Sequence, residues 1–181
     1  MSFSTWPMAS AEVKQRNFTK KTGMKITFST ISNTGNRSNN EDDFNVMDVP
    51  DEGRWMGIVC DGMGGHAMGE VASDTVVKAI SKYWDESSNF PDSAAKVAEA
   101  CKLASASVDK RADIFHHCQM GTTMVMASIQ GNKITIAHIG DSRCYLLRPG
   151  YYDYEDILDV FDFLCERSGD DSYTAIIAII E

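Results

Sequence analysis

Residues 55–60 read Trp-Met-Gly-Ile-Val-Cys, a nearly continuous apolar run that stops abruptly at Asp61-Gly62-Met63-Gly64-Gly65. A run this short and this apolar is a buried strand, and its glycine-rich polar end is a loop. The periodicities on either side decide what surrounds that strand. Upstream, Met24, Ile26 and Phe28 alternate with Lys25, Thr27 and Ser29, which is strand period. Residues 32–43 form a polar loop, residues 44–49 a second strand, and Pro50-Asp51-Glu52-Gly53 a turn. Downstream, Ala72, Val76, Ala79, Ile80 and Tyr83 recur at helical spacing and predict a helix over 67–84. Asp92 or Ser93 can cap a second helix over 92–110, with Val97, Ala100, Ala104 and Val108 on one face. Residues 122–130 and 133–139 are strands around a Gly131-Asn132 turn. A strand over 143–147, a short helix marked by Ile157, Val160, Phe161 and Leu164, and a last strand over 173–180 complete the chain. Alternating strand–helix–strand units are absent, which argues against a parallel doubly wound sheet. The expected class is α+β, an antiparallel β-sandwich flanked by α-helices.

With 181 residues and 43% apolar side chains, the chain has material for one domain with a real core. No apolar run approaches the ~20 residues needed to span a bilayer, so no membrane association is expected. Acidic residues outnumber basic ones 26 to 17, for a net charge of −9. Such a chain is ill suited to nucleic acid, which is bound by neutralising phosphates, and better suited to gathering carboxylates around a cation. Residues 1–22 run against this trend, with Lys14, Arg16, Lys20 and Lys21 against Glu12, and are expected to be a flexible extension ahead of a domain over 23–181. The five cysteines are odd in number and contain no CxxC, which points to reduced thiols and a cytoplasmic setting. His116, His117 and Cys118 are consecutive, and consecutive side chains rarely converge on one metal.

Acidic residues stand where strands begin or end: Glu41 and Asp42, Asp61, Asp141, and Asp171. Any one of them alone is an ordinary turn-capping residue. Together at strand ends they would repel one another, and a divalent cation resolves that cost. Oxygen donors without Cys or His suit Mn²⁺ or Mg²⁺ over zinc. Arg37, in the same loop as Glu41, carries the planar fork that matches phosphate oxygens. The loop at 61–66 lacks the Lys and Ser/Thr of a nucleotide-phosphate loop and fails the dinucleotide pattern. Its glycines suit a backbone carbonyl reaching a metal beside Asp61.

Four runs carry a resemblance: Arg37-x-x-x-Glu41-Asp42, Val59-Cys60-Asp61-Gly62-Met63-Gly64-Gly65-His66, Met120-Gly121-Thr122-Thr123 and Gly140-Asp141-Ser142-Arg143. In this order they closely resemble the PP2C family of metal-dependent protein Ser/Thr phosphatases, in its bacterial form. Asp171-Ser172-Tyr173-Thr174 resembles the family's closing Asp-Asn-x-Thr, with Ser172 in place of Asn. The resemblance implies hydrolysis of phosphoprotein monoesters by a metal-activated water, with two Mn²⁺ or Mg²⁺ ions. It implies that Asp61 bridges both ions and the Gly62 carbonyl binds one. Glu41 and Asp42 bind directly or through water, Asp171 completes the second ion, Asp141 serves an additional weaker position, and Arg37 holds the phosphate. The family also carries several dozen residues after the GDSR strand, including a strand ending in Ser-Asp-Gly whose Asp is a metal ligand. Here the chain passes almost directly to the final helix. That departure implies a weakened second ion and sheet surface left open to self-association. The alternative reading is a catalytically impaired member that keeps the fold as a module binding phosphoproteins or partners.

Overall fold

The computed structural model describes residues 26–63, 68–146 and 171–180. In chain order these form β1 (Ile26–Asn33), β2 (Asp42–Val49), β3 (Arg54–Asp61), α1 (Gly69–Glu86), α2 (Ala94–Ile114), β4 (Met124–Gln130), β5 (Lys133–Ile139) and β6 (Tyr173–Ile180). A single 3₁₀ turn, Pro50–Glu52, joins β2 to β3, and Gly53 closes it at φ +62°. The strands make a two-stranded ribbon, β1–β6, and a four-stranded sheet in the order β2-β3-β4-β5. Every pairing is antiparallel.

The buried strand β3 explains the layering. Successive side chains of a strand point to opposite faces, so an apolar strand needs cover on both sides. Met56, Ile58 and Cys60 face the helices, where they join Met124 and Met126 of β4 and Val76, Val77, Ile80 and Trp84 of α1. Ala100 and Ala104 of α2 complete that core. On the other face Trp55 and Ile129 meet Phe28 of β1, with Val46, Ala127, Ile176 and Ala178 packed around them. Gly57 makes this second core possible. A Cβ there would lie 2.7 Å from the Trp55 ring and 3.3 Å from Ile176.

The helices form as their periodicity requires. Ala72, Val76 and Ile80 are buried, and Val97 and Val108 are partly buried against the same core. Ser93 caps α2 by accepting from the Lys96 backbone N–H at 3.2 Å. Asp92, the other candidate cap, is engaged elsewhere. Its Oδ1 accepts from Lys96 Nζ at 2.9 Å and its Oδ2 from Ser128 Oγ of β4 at 2.7 Å. Lys96 Nζ also donates to the Ser87 carbonyl at 3.1 Å and sits 4.4 Å from the centre of the Trp84 ring. Both side chains of this pair are only 3% exposed.

One expected element does not form among the described residues. Residues 143–146 form no strand and are largely exposed. Among the described residues no strand pairs with them, and an isolated extended segment has no ladder to hold it; Arg143 instead donates to the Tyr145 hydroxyl at 3.3 Å. The expected extension over 1–22, Met24 and the short helix around Ile157–Leu164 positions lie outside the described residues. No helix among the described residues is long and apolar enough to cross a membrane.

Removing one partner of a buried ion pair leaves the other charge uncompensated. Lys96→Ala or Asp92→Ala is therefore expected to cost about 3–5 kcal/mol of stability, and the double variant less than the two losses added. Urea unfolding of the three variants checks this; additive losses would show that the two groups act independently.

Candidate metal and phosphate site

The register of the β2–β3 hairpin builds the site. Asp42, the first residue of β2, lies directly opposite Asp61, the last residue of β3. Directly opposed residues share a face. Alternation from Trp55 and Gly57 sets that face toward the β1–β6 ribbon, so both carboxylates stand at the rim where β6 begins. Asp43, one step along, turns to the other side, where the charges of Asp74 and Lys78 act on it.

The main chain of Asp61 is pinned from β4. Its N–H donates to Thr123 Oγ1 at 3.1 Å, and its carbonyl accepts from the Thr123 N–H at 2.8 Å and from Thr122 Oγ1 at 2.9 Å. Ser142 Oγ lies 2.6 Å from Thr123 Oγ1, which ties the turn after β5 to the same anchor. Sequence reasoning singled out the Gly121-Thr122-Thr123 and Gly140-Asp141-Ser142 runs without assigning the hydroxyls this work. Gly62 follows, donating its N–H to the Glu41 carbonyl at 3.0 Å. A Cβ on Gly62 would fall 2.3 Å from the Gly69 carbonyl oxygen, so only glycine passes between β2 and the start of α1. The Glu41 carbonyl also accepts from Ser73 Oγ at 2.6 Å.

The proposed ligands are brought to one rim to different degrees. Asp42 and Asp61 face each other as register partners at the ladder's end, and the charges of Asp42, Asp141 and Asp171 act on Asp61. The Glu41 carboxylate lies to one side, against Gly69 in the first turn of α1. Asp171 is held by Arg37, whose Nη2 is 2.9 Å from its Oδ1, with both side chains more than half exposed. Among the described residues no three acidic, His or Cys side chains converge as a closed ligand cage. His117 bonds the Asp113 carboxylate at 2.9 Å, at the C-terminal end of α2.

The electrostatics show how crowded the rim is. Burial, then the charges of Asp42, Asp141 and Asp171, push the Asp61 carboxyl up from 3.8 to about 6. Burial also raises Asp42, against the opposing pull of its hydrogen bond from Thr174. The donors are all oxygens, and a cation placed among them would relieve the repulsion that favours the proton. The residues present therefore fit a hard divalent ion.

Residues 32–159 match the family model described as Protein phosphatase 2C. The chain belongs to the protein phosphatase 2C family. It is 36% identical over 115 residues to the serine/threonine protein phosphatase PstP of Mycobacterium tuberculosis (strain H37Rv), covering 63% of this chain and 21% of that protein. It is 34% identical over 117 residues to the serine/threonine phosphatase stp of Listeria monocytogenes (serovar 1/2a), covering 62% of this chain and 46% of the relative. The chain thus spans less than half the length of these relatives. The catalytic domain of PstP in complex with two manganese ions superposes with a TM-score of 0.58 and 26% identity, covering 87% of this chain and 73% of that domain. The serine/threonine phosphatase of S. agalactiae shares the fold, at a TM-score of 0.59 and 20% identity, over 86% of this chain and 77% of that one.

Within this phosphatase 2C fold, Asp61 couples stability to pH with a definite sign. The folded chain holds the Asp61 proton more tightly than the unfolded chain does. That contribution is fully present below the ordinary value of 3.8 and is lost as pH rises through about 6. In chelator-treated buffer the melting temperature of the native chain is expected to fall relative to that of Asp61→Asn across this window. A constant difference between the two melting curves from acid to neutral pH would contradict the assignment.

Proposed function

We propose that this chain is a metal-dependent protein serine/threonine phosphatase domain that hydrolyses phosphoprotein monoesters, with Mn²⁺ as cofactor and Mg²⁺ as its substitute. The observation that carries the reading is the convergence of Asp42 and Asp61 on one rim with the charges of Asp141 and Asp171, beside the guanidinium of Arg37. Asp61 and Asp42 would hold the metal at the ladder's end, with Asp171 for a second ion, Asp141 for a weaker position, Glu41 through water and Gly62 through its carbonyl. Bound ions of this kind acidify a water and offset phosphate charge. The chain's own contribution is to fix the carboxylates on rigid strand ends and to present Arg37 to the phosphate oxygens. Arg37 must then exchange Asp171 for phosphate, which its exposed position allows. The binding-module reading finds no support, since the relatives named above are phosphatases. The cytoplasmic setting stays part of the proposal.

Hydrolysis of an aryl phosphate with Mn²⁺ tests this. Asp61→Ala should abolish turnover. Arg37→Ala should weaken phosphate binding strongly while changing stability by no more than about 0.5 kcal/mol, the range of exposed substitutions. Turnover that survives Asp61→Ala would end the proposal, and a large stability loss with unaltered phosphate affinity would make Arg37 a structural residue.

The absent Ser-Asp-Gly ligand bears on metal count. Fewer anionic ligands leave more coordination to water, so one ion should bind detectably and the second weakly. Exposed Ile134, Ile136 and Ile139 on β5 support self-association. Counting Mn²⁺ per chain at saturation, with sedimentation of the same samples at rising concentration, checks both. Two tight ions on a strict monomer would contradict both.

A further inference from the structure

Behind the Asp42 carboxylate lies a ring of polar side chains that the phosphatase reading leaves without a role. Thr174 Oγ1 of β6 donates to Asp42 Oδ2 at 2.7 Å. Ser32 Oγ of β1 lies 2.9 Å from the same Thr174 oxygen, and Ser32 and Thr174 are register partners in the ribbon. Asn40 Nδ2 donates to Ser32 Oγ at 2.9 Å, and the Asp42 backbone N–H donates to Asn40 Oδ1 at 3.1 Å. The loop closes on Asp42, where it began.

Donor counting orients every bond in the ring. A hydroxyl has one hydrogen. That of Thr174 goes to the ionised carboxylate, so Thr174 Oγ1 accepts from Ser32. The Ser32 hydrogen is thereby used, so its oxygen accepts from Asn40. The Asn40 amide is oriented in turn by the Asp42 N–H, which needs its carbonyl oxygen. All the side-chain donors point one way around the ring, toward Asp42 Oδ2. The ring also joins the two sheets, since Ser32 and Thr174 belong to the ribbon and Asp42 to the four-stranded sheet.

We infer that Thr174, backed by Ser32 and Asn40, is a positioning residue that fixes the rotation of the Asp42 carboxylate by occupying Oδ2 and leaves the other oxygen for a divalent cation at the Asp61 rim. The inference rests on the metal reading above. Hydrogen-bond partners that orient a ligating carboxylate typically contribute 10–100-fold in metal affinity. Thr174 therefore supports the site from the ribbon, as Thr123 supports it from the four-stranded sheet. The requirement is for a hydroxyl at this place, with the β-methyl group incidental.

Calorimetric titration of the metal-free full chain with Mn²⁺ tests this without recourse to turnover. Thr174→Val keeps the shape and removes the donor, and is expected to weaken Mn²⁺ binding about tenfold or more. Thr174→Ser restores the donor and should restore affinity to near that of the native chain. Ser32→Ala should lose less than Thr174→Val, and the double variant should bind no worse than Thr174→Val alone, because the two act through one bond to Asp42. Equal affinity in the native chain and Thr174→Val would overturn the inference and leave the metal reading standing. So would equal losses in Thr174→Val and Thr174→Ser, which would assign the effect to packing. A native chain that takes up no Mn²⁺ would overturn the metal reading and this inference together. If Thr174→Val does not fold, Ser32→Ala decides: a several-fold loss supports the ring, and unchanged affinity refutes it.

Discussion

The antiparallel register that sets Asp42 opposite Asp61 is the constraint on which this protein's site depends. Two carboxylates across a ladder repel, and like charges directly opposed destabilise a sheet. The pair stands because the hairpin beneath it is held by far larger forces. β3 is buried on both faces, paired with β2 on one edge and β4 on the other, and a one-residue slip would turn Met56, Ile58 and Cys60 out of the helical core. Hydrophobic burial along the strand therefore fixes the register, and the register delivers two acids to one point at its end. The proton tenacity of Asp61 is the measurable sign of that imposed crowding.

The rest of the structure stabilises the rim from several directions. Thr122 and Thr123 hold the Asp61 backbone from β4, Gly62 threads between Glu41 and Gly69, and Ser73 of α1 ties down the Glu41 carbonyl. Thr174 reaches Asp42 from the ribbon. Rigid strand ends, rather than long loops, thus carry the acidic pair, which is the arrangement that holds reacting groups in a narrow range of positions. Arg37 is the exception. It stands on the loop before β2 with an exposed ion pair to Asp171, a contact weak enough to be traded for another anion. At the opposite end of the sheet, the buried Lys96–Asp92 pair links the start of α2 to Ser128 of β4, so the helical layer is locked to the sheet at a distance from the acids.

Much of this was legible in the sequence because it depends on local pattern. Period-two and helical spacings marked the strands and both long helices, the apolar run at 55–60 marked the central strand, and acids beside glycines at strand ends marked the rim. The described part of the expected strand over 143–147, residues 143–146, forms no strand, because an extended segment becomes one only when a neighbour completes its hydrogen bonds, and none among the described residues does. Local pattern offers Asp92 or Ser93 as the cap of α2; Ser93 takes that place, and the Asp92 carboxylate serves Lys96 and Ser128, partners whose approach no local pattern discloses.

The residue types able to reach the rim, and their order along the chain, can be read from local pattern and from the resemblance to phosphatase 2C. Tertiary structure alone decided the distances. Thr174 looks like a strand residue until β6 pairs with β1 and the ribbon lies over the hairpin, bringing its hydroxyl to Asp42 across 132 positions of chain. Arg37 meets Asp171 where the β1–β6 pairing brings the loop after β1 beside the residues before β6. Strand and helix periods arise from backbone geometry between neighbours in sequence, whereas these contacts arise from burying Trp55 and Ile129 against Phe28, which joins the sheets and carries the polar ends with them.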